Sequence, residues 1–583
     1  MISVACHVAH GDRRTIPVDE IEKGMKGYGL TVFEGTEPEK FQVEVVGVVP
    51  NFFLRQDIIL VRVSHPVTDR AGVIGGMSGS PIYIDGRLAG ALAYGWSFQK
   101  EPIAGVTPIA NMLDVLKRKV GKNRPSVPMR LARALLPFIS DQARQGPIEP
   151  IGFHASFRSG NDTMIAPART PITLSGFHSP AMGMIEETLS AFGMVPMMGG
   201  AGGKGAKDPG KFVPGGAIGV QLVRGDMSAT GIGTVTAVRD ENVLAFGHPM
   251  FNMGQGLLPV TTGRIHTVIA SLRKSNKLGS PLGEIGALVQ DRQACIVART
   301  DRRAPMIPVT FELKDARSGR KEKYKVEMIS HRLLTARFLH AVLVNIIQNA
   351  ASDATDVTAE ITGRITVSGR DPVKIHDAAI SRRGLATLAR YFRPSGIVAA
   401  ILANPFEDAT IEALEFDVQL RYGLEHSTIV GAYITAQNPA PGDVINLHVR
   451  LRPYGGDERI VTVPIRIPEA TQGSKIQIQV GGGDVMTPVM PTPQNLDDMI
   501  KNVERFYPPQ SMVVSVNIPG EGVSLRGHVL EQLPNSAVSS LKPSVGVEQL
   551  TTHRTALSEV YPTSHLVAGK ETITITVGSR RNR

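Results

Sequence analysis

Cysteine is nearly absent from this chain of 583 residues: there are 2, Cys6 and Cys295, with 1 tryptophan and an aromatic content of 5%. Two cysteines allow at most one disulfide and cannot build a structural zinc site on their own, so no disulfide framework or zinc module organises the fold. No run of 18 or more uncharged apolar residues occurs, and no membrane span is therefore expected. The start, Met1-Ile-Ser-Val-Ala-Cys-His, lacks the basic residues and the long apolar stretch of a secretory signal. The expectation is either a cytoplasmic protein or a chain given without its leader. Missing too are a His-Glu-x-x-His pair and an acidic calcium loop, so no cofactor is called for. His7 and His10 beside Cys6 offer at most adventitious metal binding.

The net charge of +10 is not concentrated enough to mark a nucleic-acid surface. Lys and Arg are scattered among acids except around Lys117 to Arg133 and at Arg580 to Arg583, and no aromatic residues interleave with them. A mildly basic solvated surface accounts for the charge.

What the chain does have is 60 glycines and 40 prolines, with 42% apolar residues. That composition favours short strands and many turns, and the length suggests three to five domains. The fold class expected is mainly β and multidomain. A β-rich unit is read over residues 1–120, where Phe41, Val43 and Val45, then Ile58, Leu60 and Val63, alternate with polar positions. Residues 121–214 read as a helical and loop connector, with Leu131, Leu135 and Leu136 at helical spacing, a helix at Ala181 to Phe192 and a Gly199 to Gly205 run. Those glycines lack the Walker spacing and are read as a flexible loop.

A second β-rich unit spans 215–330. Beyond it come a helix and mixed α/β segment at 331–424, with an amphipathic helix at Leu333 to Ala351. An immunoglobulin-like sandwich is read over 425–490, where Ile445, Leu447, Val449 and Leu451 form one buried face. A C-terminal α+β domain at 491–583 starts with a helix through Leu496, Met499, Ile500, Val503 and Phe506.

The chemistry is expected in Gly75-Gly76-Met77-Ser78-Gly79-Ser80-Pro81, a small-residue loop that runs into a hairpin turning at Asp85-Gly86. A serine hydroxyl needs a base within hydrogen-bond reach and donors aimed at the developing oxyanion. Glycines around Ser78 permit such a loop, with the amides of Gly76 and Ser78 as the oxyanion donors. The alternative is a Gly/Ser turn between strands. An esterase elbow is excluded because Pro81 and a strand follow Ser80 where a helix would be required.

Most of the 15 histidines are isolated. His331 and His340 fall on a helix, His448 on the polar face of a strand and His178 in a loop. His248 differs, because it ends a strand pair of the form Gly-Thr-Val-Thr…Leu-Ala-Phe-Gly-His-Pro.

Gly-Met-Ser-Gly-Ser-Pro-Ile with its hairpin, together with Gly-Thr-Val-Thr…Phe-Gly-His-Pro, resembles the sporulation-protein IV B (SpoIVB) family of serine peptidases. The resemblance extends to Phe41 through Val49 and to Gly263 through Glu284. It implies a trypsin-like double β-barrel with Ser78 as nucleophile and His248 as base, acting on a protein or peptide substrate outside the cytoplasm, in the periplasm or cell envelope. In that family the histidine block is expected before the serine block, so the halves here are permuted.

The family also places an aspartate shortly upstream of its serine. Asp69 is the nearest carboxylate and the choice for orienting His248, with Asp57, Asp226, Asp240 and Asp291 as alternatives. The strand from Gly90 to Tyr94 is expected to pair with an extended substrate, and the C-terminal domains to bind envelope partners. The rival reading is an inactive envelope scaffold that keeps the peptidase fold for binding.

Overall fold

The computed structural model describes residues 14–118 and 166–579, less 54–55, 97–98, 169, 191, 200–208, 273, 352–355, 382–392, 492, 526–527, 531–532, 534 and 545–549. The helix expected at Leu131 to Leu136, the Cys6, His7 and His10 group, the run from Gly200 to Gly205 and the terminal arginines lie outside the described residues. The chain divides into two compact units. The first holds residues 1–125, 150–308 and 325–330, and the second the remainder.

The first unit is built on two closed barrels. Strands β1 (Lys26–Thr31), β2 (Glu39–Phe53) and β3 (Gln56–Ser64) are followed by a short helix α1 (Pro66–Ala71). Then come β4 (Pro81–Ile84), β5 (Arg87–Gly95), β6 (Ile103–Pro108) and helix α2 (Ile109–Lys117). The order β4-β1-β2-β3-β6-β5, closed by pairing of β4 with β5, makes a six-stranded antiparallel barrel with no free edge around its girth. Alternation places Phe41, Val43 and Val45 inside with Ile59, Val61 and Val63 opposite. The β4–β5 turn has Asp85 and Gly86 both at positive φ, 50° and 74°, which a two-residue hairpin of this hand requires.

The chain resumes with β7 (Ala166–Pro167), β8 (Thr170–Ser175), α3 (Ser179–Ser190) and β9 (Met194–Met198). Strands β10 (Ala217–Gly225), β11 (Ser228–Arg239), β12 (Asn242–Ala245), β13 (Gly254–Ile269), β14 (Asn276–Arg292) and β15 (Cys295–Arg299) follow. They close a second six-stranded barrel in the order β10-β13-β14-β15-β12-β11, with β10 paired back to β11. The connector read over 121–214 is, in its described part, a β8-α3-β9 unit. Its β8 pairs antiparallel with β11 and its β9 runs parallel to β8. Its run Thr170-Pro-Ile-Thr-Leu-Ser is buried on both faces, so it shows none of the alternation by which an exposed strand is recognised.

Helix α2 lies against both barrels. Its buried residues Ile109, Met112 and Val115, spaced three apart on one face, join a cluster with Leu88 and Ala91 from the first barrel and Leu244, Cys295 and Val297 from the second. Cys295 is a buried free thiol whose pKa burial pushes up.

In the second unit, the helix expected at Leu333 to Ala351 spans Leu334–Ala350; its His340 and Asn345 are buried, while Arg337 and Gln348 are partly exposed and Asn349 is exposed. Further on, a sheet of His426–Ile434, Val444–Pro453, Arg459–Arg466 and Leu566–Ala568 shares one core with a sheet built on Lys475–Gly482, Ser511–Leu525, Leu550–Pro562 and Lys570–Thr576. The sandwich thus runs from about 426 to 577 and is not bounded at 490. Of the strands in its second face, Lys475–Gly482 lies within the span expected for the sandwich, and the others fall in the span expected to form a C-terminal α+β domain. Among the described residues, no helix is long and apolar enough to cross a membrane.

Candidate active site

The serine loop is fixed from below and from the side. Met77 is wholly buried in the core of the first barrel, and Ser78 beside it is buried as well. The carbonyls of the loop are gripped by β11: the Thr234 hydroxyl donates to Gly76 O at 2.8 Å, the Thr234 amide to Ser78 O at 2.8 Å, and the Thr236 hydroxyl to Gly79 O at 2.7 Å. The Gly-Thr-Val-Thr motif is therefore a clamp.

Gly79 has φ +97°, and a Cβ there would lie 1.9 Å from Thr234 O, so only glycine lets the loop lie this close to β11. The aliphatic stem of Lys277 supports Gly76 from beneath, while its Nζ donates to the Thr31 hydroxyl at 2.6 Å. Burial lowers the Lys277 ammonium to about 7. No motif marked this lysine, because its role depends on β14 reaching across to the serine loop.

His248 follows β12 through Phe246 and Gly247, both at positive φ. Its Nε2 is 2.9 Å from Ser78 Oγ and its Nδ1 is 2.8 Å from Pro249 O. A carbonyl only accepts, so Nδ1 carries the proton and Nε2 presents its lone pair to the serine hydroxyl. Both side chains are almost completely buried, Ser78 at 0% and His248 at 2% exposure. Burial is the main cause that lowers the imidazole pKa, to about 4, and keeps the ring neutral. The Gly247 carbonyl accepts from the Thr107 hydroxyl of β6 at 2.6 Å, which ties the histidine turn to the first barrel.

The carboxylate expected at Nδ1 is replaced by the Pro249 carbonyl. Asp69 does not reach His248. It accepts instead from the His65 amide and the Ser64 hydroxyl at the start of α1, the ordinary work of an acid in a first helical turn. Asp57 accepts from the Asn51 amide in a turn, and Asp226 from the Lys325 amide.

The alternative that matters is Asp291 on β14. It is fully buried and accepts from the amides of Met250 at 2.8 Å, Phe251 at 2.7 Å and Met253 at 3.4 Å. Burial raises its pKa, against the opposing pull of these amides. Asp291 holds the turn that carries Pro249, so it acts on His248 through the backbone.

Residues 11–113 match the SpoIVB peptidase S55 family. The match takes in β1 to β6 and the Ser78 loop, and ends before His248. No curated protein and no solved structure matches the chain. At family level the SpoIVB match supports a serine peptidase, whose substrates are proteins or peptides. As the strand ranges show, the barrel bearing the serine precedes the barrel bearing the histidine.

The remaining partner of the pair is Ala168, just past β7. Its carbonyl oxygen lies 3.0 Å from Ser78 Oγ. The one hydroxyl proton of Ser78 thus has two acceptors, His248 Nε2 and Ala168 O. Among the described residues, the amides of Gly76 and Ser78 donate to no backbone carbonyl.

Proposed function

We propose that the first unit is a SpoIVB-type serine endopeptidase that works through an acyl-enzyme, with Ser78 as nucleophile and His248 as base. The observation that carries this reading is the 2.9 Å contact from His248 Nε2 to Ser78 Oγ, with the opposite ring nitrogen committed to Pro249 O. Nε2 takes the hydroxyl proton as Oγ attacks a peptide carbonyl. The amides of Gly76 and Ser78 hold the oxyanion, and the imidazolium returns its proton to the leaving amine. Water then hydrolyses the ester. The Pro249 carbonyl supplies the orientation and part of the charge stabilisation that a carboxylate gives in a Ser-His-Asp triad. The family resemblance supports a processing or regulatory role in the periplasm or cell envelope, with the second unit as a partner-binding surface.

One observation favours the rival, an inactive scaffold: among the described residues no carboxylate meets Nδ1 of His248. Labelling with a fluorophosphonate separates the two. The peptidase reading expects covalent labelling that is lost in Ser78→Ala and in His248→Ala. Labelling that is absent, or indifferent to Ser78, would leave the scaffold.

A further inference from the structure

Strand β5 leaves its partner β4 at Ala91, which pairs with Pro81. Past that point the serine loop itself bonds to β5, through Leu92 N to Ser80 O and Gly79 N to Leu92 O. From Ala93 onward the same edge of β5 is open to another strand, directly beside the nucleophile. An open edge next to a nucleophile is where an extended peptide would add by backbone pairing.

That edge is already taken by the chain itself. Tyr94 and Gly95 pair antiparallel with Pro167 and Ala166, and the Ala168 amide donates to Ala93 O at 2.7 Å. The segment ends with Ala168 O on the Ser78 hydroxyl. Ala168 is 3% exposed, and with it in place Ser78 and His248 are closed to solvent. Pro167 costs nothing in the pairing that is present and stiffens the segment in an extended form.

Two features show an occupant parked short of reaction. Ala168 O faces the serine hydroxyl, while the amides of Gly76 and Ser78 are left without it. The hydroxyl proton directed at that oxygen is one that His248 must receive for attack. In addition, a cavity of about 360 Å³ borders Ala168, walled by Gly75, Gly95, Trp96, Lys100 and Lys274, and a methyl group is too small to fill it.

We propose that Ala166-Pro167-Ala168 is an internal, competitive occupant of the peptidase's own substrate strand. Free substrates are extended polypeptides that displace it by pairing with Ala93 to Gly95. They hold, at the position of Ala168, a side chain large enough to enter the cavity. The inference rests on the peptidase reading of Ser78 and names the ligand class and the regulation of that site.

The test uses the full-length chain, comparing the parent with a double variant, Pro167→Gly with Ala168→Gly, which frees the backbone at both positions, and with Pro167→Gly, which removes only the stiffening. Two quantities are read: the rate of fluorophosphonate labelling of Ser78, and hydrogen exchange of the peptide that contains the Ala168 amide. The parent is expected to protect that amide. The double variant is expected to lose the protection while strands β10 to β15 keep theirs, and to label about tenfold faster or more, as a site freed from a dominant occupant must. Pro167→Gly should shift both in the same direction by less.

An Ala168 amide that exchanges freely in the parent would overturn the proposal. So would an unchanged labelling rate once the segment is released, or Ser78-dependent cleavage after Ala168 in the parent, which would make the segment a substrate. Protection of the amide with no labelling in any variant would overturn the peptidase reading, and the inhibitory role with it.

Discussion

The two barrels of the first unit contribute to one site in opposite ways. The serine barrel offers its residue on a short loop whose neighbour, Met77, is anchored in the barrel's own core, and whose carbonyls are held from outside by Thr234 and Thr236. The histidine barrel offers its residue on a turn whose support comes from within, since Asp291 binds the amides of residues 250, 251 and 253. The nucleophile therefore depends on the neighbouring barrel for its shape, and the base depends mainly on a buried acid of its own barrel. Mutations on the two sides should fail differently.

The largest effect is expected at the point where the sides meet. Ser78→Ala and His248→Ala should each lower peptide hydrolysis by a factor on the order of 10⁴ or more, with little change in melting temperature, because members of such a pair act as a unit. Next comes Asp291→Ala, which leaves several buried amides without an acceptor. A loss of about 3 kcal/mol in denaturant unfolding is expected. Hydrolysis should fall in parallel as the Pro249 carbonyl loses its position. If Asp291→Ala is as stable as the parent, the contrast between the barrels fails.

The pH dependence separates the histidine side from the serine side. His248 has its folded pKa lowered from 6.5 to about 4, so the unfolded chain binds the proton more readily between those values. The stability linked to this group is full above pH 6.5 and is lost as pH falls towards about 4, by an amount of order 3 kcal/mol for a fully buried ring. His248→Gln should flatten that part of the acid limb measured by thermal unfolding, and Ser78→Ala should leave it steep.

Smaller effects test the clamp. Thr236→Val and Thr234→Val each remove one hydroxyl bond to a loop carbonyl and should cost about 1–2 kcal/mol in stability. Hydrolysis should fall with little change in KM if the loop's shape alone is at stake. The smallest effect is expected for Asp69→Asn, below about 1 kcal/mol and within twofold in rate, as for any acid in the first turn of a short exposed helix. A large loss of activity there would restore Asp69 as the acid that serves His248.

The same contrast explains what could be read from the chain. The serine loop is legible because everything it needs locally, glycines, a buried neighbour and the Asp85-Gly86 turn, is contiguous. The strand alternation of the first barrel is equally local. His248 was found through the Gly-Thr-Val-Thr strand beside it, although that motif's work, holding the carbonyls of residues 76, 78 and 79, shows only in three dimensions.

The acid was misplaced because nearness in sequence to Ser78 says nothing about nearness to a base on another barrel. Asp291 comes within reach through the β13–β14 pairing of Gly254 with Asp291, and it then works through amides and not through the ring. Lys277 and Ala168 carried no signal at all, since a lysine in a strand and an alanine beside a proline are common in any β protein. The helix of the β8-α3-β9 unit is legible as such, but its flanking strand β8 is not, because it is buried on both faces. A strand buried on both sides loses the alternation that announces it, whereas Lys570–Thr576 alternates but its partner about a hundred residues away is not written locally.

The clamp from Thr234 and Thr236 has a consequence for biosynthesis. Ser78 and His248 are 170 residues apart in the chain, and the threonines that shape the serine loop arrive only shortly before the histidine. A ribosome making this protein thus releases the nucleophile long before its base or its mould exists. While still tethered, the growing polypeptide carries a serine loop without its clamp and without the histidine that meets Ser78, until β11 and β12 and the turn after them have been made and folded.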